Sequence, residues 1–72
     1  MLGTVRVRVQ GARAIDLHGD RYLDLAIVVE GAGEAAGVRV PAALLPGHPE
    51  PGQRLELELL MGQVQAVRSV TD

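Results

Sequence analysis

An all-β fold, a small sheet of five strands rolled into a barrel, is predicted by three observations. Leu55, Leu57 and Leu59 alternate with Glu56 and Glu58, and Val5, Val7 and Val9 alternate with Arg6 and Arg8; only a period of two gathers each apolar set on one face. Turn signals separate such runs, at Gly19-Asp20, Gly31-Ala32-Gly33-Glu34 and Gly62, and no long helix is read between them. The chain has 72 residues, which allows one domain, residues 1–72, and a core that takes only about 60% of the unfolded surface out of water. At about 25 cal/mol per Å² such a core barely offsets roughly 1.5 kcal/mol of lost entropy per residue. With no cysteine, neither disulfides nor thiolate metal clusters can add to it. Self-association and stiffening by Pro41, Pro46, Pro49 and Pro51 remain.

Thr4 to Gln10 forms the first strand, burying Val5, Val7 and Val9 and leaving Arg6, Arg8 and Gln10 outside. Gly11 to Arg13 bulges or bends it, and Ala14, Ile15 and Leu17 carry it on to a turn at His18-Gly19-Asp20. The second strand, Tyr22 to Glu30, buries Leu23, Leu25, Ile27 and Val29; Val28 is the apolar exception on its outer face. Gly31 to Glu34 reads as a loop, Gly37 to Val40 as a short third strand, and Pro41 to Leu45 as a one-turn helix ended by Pro46. An irregular loop over 47–52 leads into the Leu-Glu strand. Gly62 supplies the positive φ of a tight reversal into the fifth strand. Val64, Val67 and Val70 are spaced by three, so a bulge near Ala66 or a frayed end is expected there.

Strand, strand, strand, short helix, strand, strand is the order of a five-stranded OB-like barrel. That topology sets the first strand beside the second and fourth, bringing Arg6 and Arg8 near Glu56 and Glu58 on one side and Asp24 or Glu30 on the other. From Val38 to Val70, a strand ending in Val40-Pro41, a short spacer and Pro51-Gly52-Gln53-Arg54-Leu55 opening an alternating hairpin resemble the second half of TOBE-type domains, the small barrels attached to transport ATPases and molybdate-binding proteins. The same unit is similar to part of the swapped-hairpin transcription regulators. Those carry a longer helix and an acidic residue where Gln53 stands, and Pro46 departs from their pattern, so DNA binding by that route is not expected. Both resemblances cover under half of the chain and carry no site residues over.

Charge narrows the function classes. Seven arginines against nine carboxylates leave a net charge of -2, whereas proteins held to nucleic acid by phosphate contacts are usually basic. No apolar run is long enough to cross a membrane and no leader pattern precedes the first strand, so the cytoplasm is the expected compartment. The lack of Lys, Asn, Cys, Phe and Trp fits a GC-rich genome, thermophilic or not. The nucleophile candidates, Thr4, Ser69 and Thr71, have no histidine close in sequence. Asp16, Asp20 and Asp24 are spread along a loop and a strand instead of facing into a pocket. An enzyme is not expected, nor is a cofactor. Asp16, His18 and Asp20, with His48 and Glu50 from another loop, are a weak match to a metal site and read better as solvated turn residues.

Two surfaces remain. Arg6, Arg8, Gln10, Tyr22 and Arg39, with Arg21 at the edge, form a nucleic-acid or partner face, although Tyr22 is its single aromatic and single strands are gripped largely by stacking. Val28, Leu60 and Met61 form a candidate association patch. The expected function is a non-catalytic interaction module that self-associates and docks to a protein or small-ligand partner. A single-stranded nucleic-acid binder using the arginine-bearing face is the alternative.

Overall fold

The computed structural model describes residues 2–70, with side chains from residue 3 onward. Five strands, β1 (Leu2–Leu17), β2 (Asp20–Val29), β3 (Ala35–Pro41), β4 (Arg54–Leu60) and β5 (Gln63–Ser69), form one sheet, and a 3-10 turn, Ala42–Leu44, follows β3. Every pairing is antiparallel, in the order β3-β2-β1-β4-β5. The first strand is thus flanked by the second and fourth, the neighbours expected of it. β3 and β5 are the two edges of the sheet, so the ladder does not close as the expected barrel would.

β1 serves both halves of the sheet. Leu2 to Arg8 pair with β4, Val7 to Leu17 pair with β2, and the register slips at Gln10, where Val9 faces Ile27 but Gly11 faces Ala26. The extra residue changes the phase, so that Ala12 and Ala14 follow Val5, Val7 and Val9 onto the inner face opposite Leu25 and Leu23. A second bulge falls at Gln65, beside the expected position: Glu58 faces Ala66 while Leu59 faces Val64. It puts Val64 and Val67, three residues apart, on the same side.

Both tight hairpins are two-residue turns with both central residues in the left-handed region, His18 (φ 52) with Gly19 (φ 83) and Met61 (φ 52) with Gly62 (φ 82). That geometry matches the twist of the flanking strands. The first turn therefore sits on His18-Gly19, and Asp20 opens β2 opposite Leu17. β3 begins earlier than its side chains suggest, because Ala35 and Ala36 are drawn into the ladder by Val28 and Ile27.

The core is Val7, Val9, Leu23, Leu25, Ile27, Val40, Leu55, Leu57 and Val64, with no polar side chain buried among them. All five strands contribute to it. The proline-rich loop is tied to β1 near its bulge: the Val9 amide donates to the Gln53 carbonyl and the Gly52 amide to the Val9 carbonyl, each at 2.8 Å. Pro49 is buried beneath it.

Candidate interaction surface

The outer face is laced by arginine-carboxylate pairs set by register. Arg6, Glu56 and Arg68 stand in one row across β1, β4 and β5. Arg6 Nε donates to Glu56 Oε2 at 3.3 Å and Arg68 donates to Oε1. Asp24 faces Arg39 across β2 and β3, with bonds of 2.8 and 3.3 Å, and Arg21 donates to Asp16 at 3.2 Å. Arg8 faces Arg54 instead of Glu58, a like-charge neighbour. Glu30, whose amide is held by the Arg6 carbonyl at 2.9 Å, relieves this by taking Arg54 in a fork of 2.6 and 3.1 Å. These guanidinium bonds hold the carboxyls of Asp24, Glu30 and Glu56 below the usual range: Arg39 acts on Asp24, Arg54 on Glu30, and Arg68 then Arg6 on Glu56.

The pairing decides which arginines are available. Arg6 and Arg39 are each bonded to a carboxylate, Arg6 sharing Glu56 with Arg68, while Arg8 and Arg13 make no ion pair among the described residues. The expected nucleic-acid face does not converge. Tyr22 stands beside Ile15, and at roughly 3.3 Å per residue about 25 to 30 Å of β1 separate Ile15 from Arg6. Gln10 is the bulged residue between them. The association patch divides as well: Val28 is half-buried beside Arg8 and Ala35, whereas Leu60 and Met61 lie at the far end of β1, by Leu2. Met61 is 84% exposed.

For chemistry, Thr4 and Ser69 are exposed, and Ser69 Oγ accepts a 3.5 Å bond from Gln53 Nε2. Thr71 lies outside the described residues. Asp16 is engaged by Arg21, and among the described residues no three His, Asp or Glu side chains are placed to hold a metal ion. No described helix is long and apolar enough to cross a membrane.

The feature sequence reasoning missed is the β3 edge. β2 and β3 pair without a register slip from Tyr22 opposite Pro41 to Val28 opposite Ala35. The Val29 amide donates to the Glu34 carbonyl at 2.8 Å, which phases the ladder. Ala36, Val38 and Val40 turn their backbone groups to β2, and Ala35, Gly37 and Arg39 turn theirs outward. Pro41, with no N–H, falls in the outward set, where none is needed. The far side of the opening is the start of β5: Gly37, Arg39 and Pro41 line a cleft of about 480 Å³ with Gly62, Gln63 and Val64. Pattern alone would have found the edge only if the partner of each strand were known.

No protein-family model matches the chain, and no curated protein or solved structure matches it.

Proposed function

We propose that the chain is an OB-like barrel left open on one side and works as a non-catalytic interaction module, taking an extended protein segment by strand addition along β3. The observation that carries this reading is the row of outward backbone groups on Ala35, Gly37 and Arg39 with no strand against it among the described residues. Sheet edges are normally blunted by charge, proline or a bulge. β5 has its bulge at Gln65 and Arg68 beyond it. β3 has a charge and a proline only at its far end, Arg39 and Pro41, and its opening half, Ala35, Ala36 and Gly37, has none of these and is exposed. Support for the barrel comes from the strand order, with β1 between β2 and β4, and from the 3-10 turn after β3.

Selection of linear peptides on the immobilised protein tests this. Selected peptides with alternating apolar residues are expected to lose binding to a Gly37→Pro variant, which deletes an outward amide and no ladder bond; equal binding to both proteins rejects the β3 surface. The second reading, a single-strand nucleic-acid binder, is favoured by Arg8 and Arg13, which make no ion pair among the described residues. Oligonucleotide titrations between about 50 and 200 mM salt separate the two readings: steeply salt-dependent binding that is lost on Arg8→Ala and Arg13→Ala would support the nucleic-acid face.

A further inference from the structure

We infer that the segment added to β3 is the β3 of a second copy of this chain, running antiparallel about Gly37. The inference rests on the reading of β3 as an interaction edge and names its occupant. Placing Gly37 against the partner's Gly37 sets Ala35 against the partner's Arg39 and Ala36 against the partner's Val38. The outward groups of Ala35, Gly37 and Arg39 then meet their counterparts in about six backbone hydrogen bonds.

Self-complementarity is what selects a second copy. Read along β3, the side chains run from small (Ala35, Ala36) through Gly37 to large (Val38, Arg39), so a two-fold pairing sets each small residue against a large one. On the inner face Val38 is only half-buried and Ala36 is exposed. Pairing would extend the core from Leu25 and Val38 across to the partner's Ala36 and the partner's Ile27.

Sedimentation velocity of the full chain from micromolar to millimolar concentration tests the inference. The expected result is a monomer-dimer equilibrium weakened at least tenfold by Gly37→Pro. A Cβ at Gly37 meets nothing nearer than the Leu25 carbonyl oxygen at 4.0 Å, and circular dichroism checks that the variant folds. If it does not, two exposed substitutions carry the test. Ala35→Lys faces the partner's Arg39 and is expected to weaken the dimer about tenfold, whereas Ala35→Glu is expected to preserve or tighten it. Equal weakening by both overturns the register. A dimer indifferent to all three variants, or assembly beyond two copies, overturns β3 as the contact. A strictly monomeric chain overturns the second copy as occupant, while the peptide selection still decides whether β3 is an interaction edge.

Discussion

Met61 holds a positive φ of 52° at the tip of the second hairpin with its side chain in water, a conformation that an unbranched apolar residue adopts only at a cost. His18 repeats the geometry at the first tip. Asparagine tolerates this region and is favoured before glycine in such turns. Met61→Asn and His18→Asn are therefore each expected to stabilise the fold by about 0.5 to 1 kcal/mol, read as a raised urea midpoint at unchanged slope; a lowered midpoint would show that the native side chains make compensating contacts. At this scale the alternating residues were legible from the sequence, since Val7, Val9, Leu23, Leu25, Ile27, Leu55 and Leu57 are all buried. The Glu30-Arg54 fork was not. It joins a residue just past β2 to one on β4 across β1 at Arg6 to Arg8, and no local spacing announces it.

Among the elements, β4 depends most on charge, with Glu56 held between Arg6 and Arg68 and Arg54 held by Glu30. Because the folded-state pKa values of Asp24, Glu30 and Glu56 are depressed, their stabilising effect is complete above the unfolded carboxylate range. It is lost as pH falls through the lower folded values. The melting temperature is expected to decline below about pH 4, and Glu56→Gln to make that decline shallower; an unchanged slope would show that these pairs do not couple to folding. Exposed pairs of this kind contribute little near neutrality and weaken further with salt. The second strand, the one-turn segment after Pro41 and the Leu-Glu hairpin could be placed from pattern. The early start of β3 could not, because alanines have weak strand preference and only the ladder to β2 recruits Ala35 and Ala36.

For the molecule as a whole, the core among the described residues is nine buried apolar side chains drawn from five strands, with partly buried neighbours packed against them. Domains retain about 0.05 to 0.15 kcal/mol of stability per residue, so a chain of 72 residues has roughly 4 to 11 kcal/mol in hand. Leu57, 1% exposed at the centre of β4, is expected to cost about 2 to 5 kcal/mol when cut to alanine. Leu57→Ala should therefore leave the protein marginal or unfolded at 25 °C by circular dichroism, and full retention of the melting temperature would mean that the core lies elsewhere.

By itself the sequence determined which side chains face inward, where the chain reverses, and that no long helix intervenes. Those are consequences of covalent geometry acting over a few residues: a period of two, a missing Cβ, a missing N–H. Only the tertiary structure decided which arginines hold a carboxylate, how Val28 is separated from Met61, and that β3 and β5 stay apart. Those outcomes depend on which strands become neighbours and in what register. That choice is made by contacts between residues distant in the chain, so the open edge on which the proposed function rests belongs to the folded sheet and to no single segment of it.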